Sequence, residues 1–135
     1  MFELDPVLCA DTLEVGDLPL CRVLLMNDSQ YPWLILVPRR PQLVELAELN
    51  DADYQQFYHE SRLVAVTMME IFNGHKMNIA ALGNVVAQLH VHHVVRFHDD
   101  PAWPAPVWGK LPAQPYDHTA AKKLIATLQH ALFKD

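Results

Sequence analysis

The chain has 135 residues, 16 acidic against 10 basic, a formal net charge of -6, and 51% hydrophobic and 19% charged positions. That length suits one domain, residues 1–135, able to bury about two-thirds of its unfolded surface, and the composition is that of a folded protein rather than a disordered tail. The acidic balance, with no Lys/Arg cluster to offset it, argues against a nucleic-acid polymer as partner, and no apolar run approaches the ~20 residues of a membrane span.

Residues 12–15 and 20–26 read as two strands, with Gly16-Asp17 as the turn between them and Pro19 at the edge of the second. A polar turn, Asn27 to Pro32, leads to Trp33-Leu34-Ile35-Leu36-Val37, a continuous apolar run of the kind a doubly covered strand needs, ended by Pro38. Leu43, Leu46 and Leu49 recur at three-residue spacing, which fits a short helical turn. The next segment opens with Asn50 or Asp51 as a cap and Asp53 as favourable negative charge in the first turn. Phe57, Ser61, Val64, Met68 and Ile71 then follow at helical steps. Gly74 is the expected left-handed cap, giving a helix over about 50–73, roughly 35 Å long at 1.5 Å per residue. Lys76–Leu82 is expected as a strand, Gly83-Asn84 as a turn and Val86–Phe97 as the antiparallel return. Residues 99–116 hold five of the ten prolines and two tryptophans, the mark of an irregular covering segment. A closing helix spans about 118–133, with Ala121, Leu124, Ile125, Leu128 and Leu132 on one face. Strands, a helix, strands and a helix again predict an α+β fold with an antiparallel sheet.

The segment Gln88-Leu89-His90-Val91-His92-His93-Val94-Val95-Arg96 carries the chemistry. Polar and apolar residues alternate with period two, so on a strand Gln88, His90 and His92 share one face, about 6.5–7 Å apart, while His93 turns to the other. Packing gains nothing from such a row. A neutral imidazole on a rigid strand can attack an activated phosphorus or carbonyl carbon. A second one two residues away can hold the same oxyanion or serve the leaving group. Gln88 can donate a hydrogen bond but cannot titrate. The other histidines, His59, His75, His98, His118 and His130, are scattered and read as surface residues. Trp103 and Trp108 either cover a ligand's base or close the apolar edge beside the histidine strand.

This pattern, preceded by Gly83-Asn84, resembles the histidine-triad nucleotide-binding proteins, whose signature is His-φ-His-φ-His-φ-φ. The likeness extends over residues 15–110. It includes Trp33 to Arg39, Asn78 to Asn84, and the run Asp99-Asp100-Pro101-Ala102-Trp103-Pro104 with Val107-Trp108-Gly109, which resembles the tail of a bacterial subgroup. The resemblance implies an antiparallel sheet of about five strands with one long helix and a C-terminal helix, a homodimer, and hydrolysis or transfer at the α-phosphate of a purine nucleotide derivative without a metal or other cofactor. It implies a nucleophilic role for His90 and an assisting role for His92. It also places Asn78 near the phosphate or leaving group and Asp28 near the ribose hydroxyls. Asn84 and Val85 fall where backbone amides approach a phosphate. The chain departs from the signature at Gln88, which takes the first triad place, a substitution associated with that subgroup, and at His93, where the family has a branched apolar residue.

Two other readings of the same residues stand beside this one. A nucleotide-binding regulatory module with little or no turnover is compatible with the incomplete triad. A His-x-His metal site is the lesser alternative, with His98, Asp99 or Asp100 completing the ligands. Cys9 and Cys21 follow no metal spacing and are expected as reduced thiols of a cytoplasmic protein.

Overall fold

A computed structural model describes residues 1–133 of the chain. A short helix, Pro6–Asp11 (α1), runs directly into strand Thr12–Asp17 (β1), followed by Cys21–Met26 (β2) and Trp33–Pro38 (β3). A 3-10 turn at Leu46–Glu48 leads to the long helix Asp51–Phe72 (α2), strands Lys76–Ala80 (β4) and Val91–Arg96 (β5), and the closing helix His118–Leu132 (α3). The five strands form one antiparallel sheet in the order β1-β2-β3-β5-β4. The α+β class expected from the pattern of elements is the class observed.

The continuous apolar run of β3 is explained by its place in the middle of the sheet, where all six residues are buried. Leu34 and Leu36 face the helices, packing with Val23, Leu25, Val91 and Val95 against Phe57, Val64 and Met68 of α2 and Leu128 and Leu132 of α3. Trp33, Ile35 and Val37 face the other way, into a second apolar layer formed by Leu8 of α1, Ala102 and Val107. Each such side chain contributes about 1.5–3 kcal/mol on burial. A strand covered on both faces cannot alternate in polarity.

Helix α2 begins where its composition places it, with the Asn50 side chain accepting from the Asp53 amide at 2.9 Å. Its end differs from expectation. Asn73, not Gly74, takes the left-handed conformation, at φ 50°. Gly74 is required for space instead, because a Cβ there would lie 2.4 Å from a Val95 methyl. Gly16 likewise is no turn residue. It lies within β1 beside a bulge after Glu14, and a Cβ would meet the Phe133 ring at 2.9 Å. Glu60, on the buried side of α2, accepts from the backbone amides of Leu20 and Cys21 at 2.8 Å each and so ties the helix to the start of β2.

The return strand is also shorter than expected. Residues 81–90 leave the sheet, with Gly83 at φ 71° and the Leu89 amide donating to Leu43 O at 2.8 Å. Gln88 and His90 therefore precede β5, and only His92 and His93 belong to the ladder.

Beyond β5, the Arg96 guanidinium is buried, with 1% of its side chain exposed, and makes a two-pronged ion pair with Asp100 at 2.8 and 3.0 Å. It also donates to Asn78 Oδ1 at 2.9 Å and Ala105 O at 2.8 Å. Asp100 in turn accepts from the backbone amides of Phe97, Ala102 and Trp103. Burial alone would raise the Asp100 carboxyl, but Arg96 and the Phe97 and Trp103 amides together hold it below the usual carboxylate range. Removing one partner of such a pair leaves a buried, uncompensated charge. Asp100→Ala is accordingly expected to lower stability by about 3–5 kcal/mol in urea denaturation, whereas removing the exposed Arg40–Asp53 pair with Arg40→Ala should cost less than ~1 kcal/mol.

Candidate active site

The three consecutive-looking histidines are made chemically different by what each ring touches. His90 is 7% exposed, and its Nδ1 lies 2.7 Å from the carbonyl oxygen of Gln88. A carbonyl can only accept, so Nδ1 carries the hydrogen, and the neutral ring has its lone pair on Nε2. His92 has the opposite arrangement. The indole Nε1–H of Trp33 donates to its Nδ1 at 3.0 Å, which places the His92 hydrogen on Nε2. Burial, reinforced by the neighbouring His90 and His93 rings, pushes the His92 pKa from 6.5 down to about 3. The ring is neutral at physiological pH and presents an N–H. The two ring centroids are 5.0 Å apart, with the planes inclined at 72°. One nitrogen lone pair and one N–H donor thus stand side by side.

His93 lies on the helix side of the sheet, as strand alternation predicts. Its Nδ1 donates to Val91 O at 3.1 Å and its Nε2 accepts from the Ser61 hydroxyl at 2.7 Å. Burial pushes its pKa down to about 4, against the opposing pull of the Val91 carbonyl.

Two clefts adjoin at Trp108, which lines both, and His90 and His92 line the smaller of them. The larger, about 450 Å³, is bounded by Ala10 and Asp11, by Met26, Asn27 and Asp28, by Trp33, by Val107 to Gly109, and by Leu111, Ala113 and Pro115. Asp11 and Asp28 are its charged lining groups, and among the described residues no Lys or Arg lines it. The smaller, about 290 Å³, is formed by residues 82–86, His90, His92 and Trp108. Trp108 holds its place by edge-to-face contacts with Trp33 at 6.0 Å and His92 at 5.2 Å. Trp103 lies elsewhere, under the Arg96 guanidinium at 5.5 Å. Of the two tryptophans, only Trp108 lines the clefts.

The remaining candidates separate. Asn84 and Val85 line the smaller cleft with His90 and His92, and Val85 is 94% exposed. Asp28 lines the larger cleft and is 4% exposed. Its Oδ1 accepts from Gln30 N, Gln30 Nε2 and, at 3.3 Å, Gln114 N, which leaves Oδ2 for a further partner. Asn78 sits across from Val94 on β4 with its Oδ1 committed to Arg96. The Gln88 carboxamide bonds the N-terminal segment and neither histidine. Its Oε1 accepts from Asp5 N and its Nε2 donates to Glu3 O, both at 2.8 Å. Sequence reasoning missed Trp33 as a partner of His92. An indole next to a polar turn carries no signal of the imidazole it reaches 59 residues later. Among the described residues no group of three or more His, Cys, Asp or Glu side chains could hold a metal ion. Asp100 is taken by Arg96, and His98 stacks on His75 with centroids 3.5 Å apart.

The model of the HIT domain family matches residues 9–99. The chain belongs to the histidine-triad family. Among solved structures, this histidine-triad chain is similar to a histidine triad protein from Marinobacter aquaeolei VT8, with 50% identity over 98% of this chain and 97% of the other and a TM-score of 0.97. A histidine triad protein from Bradyrhizobium japonicum is 44% identical over 97% of this chain and 98% of the other, with a TM-score of 0.95. One from Sinorhizobium meliloti 1021 is 42% identical over 97% of each chain, with the same TM-score. No curated protein matches the chain. Membership supports a nucleotide-binding function. No helix among the described residues is long and apolar enough to cross a membrane.

Two outcomes test this geometry. Replacing Trp33 by Phe keeps the ring but removes the N–H that fixes the His92 tautomer, and should lower turnover of a nucleotide substrate about 10–100-fold with the fold retained. His92 and His93 should also make the protein acid-sensitive. Both have folded-state pKa values of about 3 and 4 against 6.5, so the unfolded chain binds protons that the native state refuses. The stability they contribute is full above pH 6.5 and is lost as pH falls toward the folded values. Each should cost about 2 kcal/mol between pH 7 and pH 5, read as a falling urea midpoint.

Proposed function

We propose that the protein is a phosphoramidase-like nucleotidyl hydrolase or transferase, acting at the α-phosphate of a purine nucleotide derivative through a nucleotidyl-histidine intermediate. The observation that carries the reading is the Nδ1–H bond from His90 to the Gln88 carbonyl. It leaves the Nε2 lone pair available at the smaller cleft, which His90 lines. The charge pattern orients the ligand. A nucleoside, uncharged and rich in hydroxyls, suits the cleft with Asp11 and Asp28, and the free Oδ2 of Asp28 is a partner for ribose hydroxyls. The anionic phosphate suits the smaller cleft, where imidazoles and the backbone of Asn84 and Val85 replace carboxylates.

In this mechanism His90 Nε2 attacks phosphorus as the bond to the leaving group breaks, the leaving group departing with the electron pair. His92, neutral with its hydrogen on Nε2, donates to a non-bridging oxygen and steadies the growing charge without giving up its proton. Water then adds to phosphorus and displaces His90. Its oxygen stays on the nucleoside monophosphate, and the displaced amine or other leaving group takes a proton. Asn78, bonded to Arg96, serves this scheme from the side of β4 by fixing the covering segment beside the phosphate. Gln88 supports His90 through its backbone carbonyl.

We also infer a homodimer in the cytoplasm. The exposed apolar side chains Val66 and Ile71 on α2 and Ile79 on β4, beside a sheet edge that β4 leaves open, support the first. The free thiols Cys9 and Cys21 suit a reducing compartment.

His90→Ala should abolish release of AMP from adenosine 5′-phosphoramidate, measured with chelator present, while AMP affinity stays within a few-fold. Undiminished turnover in that variant would sink the nucleophile assignment. Measurable AMP binding by a wild-type protein that turns over no phosphoramidate or dinucleotide would favour the regulatory-module reading instead.

A further inference from the structure

Residues 2–11 cross the face of the sheet that bears Trp33 and His92. At one end the Arg22 guanidinium lies over the Phe2 ring at 5.6 Å. Leu4 and Leu8 pack into the apolar layer with Trp33, Ile35 and Val37. At the other end the Asp11 carbonyl accepts from Asn27 N at 3.1 Å, and Ala10 and Asp11 form part of the wall of the larger cleft. Near its start this segment is gripped by one side chain. Gln88 Nε2 donates to Glu3 O and Gln88 Oε1 accepts from Asp5 N, each at 2.8 Å and across more than 80 residues of sequence. Asp5 is also the N-cap of α1, its carboxylate accepting from Val7 N. Fixing Asp5 therefore fixes the start of a helix about 9 Å long whose far end is the cleft wall.

A carboxamide suits this task because it offers a donor and an acceptor on one uncharged planar end. The same residue holds His90 with its backbone carbonyl. Its side chain and its main chain thus serve two different parts of the site.

We propose that Gln88, at the first triad place, is a positioning residue that clamps the N-terminal segment as the wall of the nucleoside cleft and thereby sets nucleoside affinity rather than the rate of the chemical step. The proposal rests on the nucleotide reading above.

The test uses the full chain and the variant Gln88→Glu, which keeps the acceptor for Asp5 N but loses the donor and sets an oxygen against the Glu3 carbonyl. Kinetics on adenosine 5′-phosphoramidate, AMP affinity by calorimetry and amide hydrogen exchange over residues 3–11 are read together. The clamp predicts at least about tenfold faster exchange in that segment and a rise of about tenfold in KM and in the AMP Kd, with kcat moving less than about threefold. Asp5→Pro should reproduce this from the other side. It removes the N–H that Gln88 accepts, at a backbone φ of -54° that proline adopts. Asp5→Ala, which loses only the cap, should shift KM less. A kcat loss of a hundredfold in Gln88→Glu, with KM and exchange unchanged, would put the amide on the reacting phosphate and overturn the clamp. Faster exchange with unchanged KM and Kd would overturn the link to the cleft. A wild-type protein that binds no AMP would overturn the nucleotide reading itself. Exchange over residues 3–11 in Gln88→Glu would then still decide the clamp, faster exchange supporting it and unchanged exchange overturning it.

Discussion

The burial of one guanidinium organises the region around the site. Arg96 ends β5 with its charge out of water, a position that is tolerable only if every N–H finds an acceptor and the charge finds a counter-charge. Asp100 supplies the counter-charge, and Asn78 and Ala105 take further N–H groups. The Tyr31 and Trp103 rings lie 5.9 and 5.5 Å from the guanidinium carbon and add their electron-rich faces. The planar fork of Arg makes this possible where the single ammonium of Lys would not. Because these partners come from β4, from the turn before β3 and from the covering segment, the proline-rich run after β5 is held in one path, which leads to Trp108 where the two clefts adjoin. An irregular segment with little secondary structure is thereby given a defined place beside the histidines.

Within that frame, neighbours rather than residue type decide what each histidine can do. His90 and His92 stand two residues apart and both are buried, yet one donates from Nδ1 to a carbonyl and the other accepts at Nδ1 from an indole. The first shows a lone pair to the cleft and the second an N–H. An exposed lone pair and a hydrogen-bond donor result from the same kind of side chain. His93, one residue further, is used by Ser61 on the opposite face and anchors β5 to α2. For a chain of net charge -6, dipolar N–H groups are also a way to receive an anion locally, since among the described residues neither of the two clefts that share Trp108 is lined by a Lys or Arg.

Much of this was legible in the sequence. The unbroken apolar run of β3 signalled a strand covered on both faces. The four-and-three spacing from Phe57 to Met68 placed α2 within a residue or two of its observed ends. Period-two alternation put His92 and His93 on opposite faces. The histidine motif, with its flanking segments, pointed to the family that the comparisons show. What failed did so where a distant part of the chain competes with local preference. Gly74 was expected to cap a helix because glycine adopts left-handed backbone, but Val95 claims that space and Asn73 takes the conformation. Alternation continued backward through Gln88, but the ladder begins only at Val91, because Leu43 and the N-terminal segment draw residues 88 and 89 away from the sheet. Nothing in the local sequence marks Glu60 as buried; its place is decided by Leu20 and Cys21, whose amides it accepts from 40 and 39 residues away.

Local sequence by itself determined which residues form strands and helices, which faces are apolar and where the imidazoles gather, because side-chain periodicity is set by backbone geometry within a few residues. Only the tertiary structure decided which nitrogen of each imidazole is free, where the Gln88 amide points and what Asn78 holds. Those outcomes depend on hydrogen-bond partners such as Trp33, 59 residues from His92, and Asp5, 83 residues from Gln88. No short-range rule can name such partners, because they meet only when the sheet has closed.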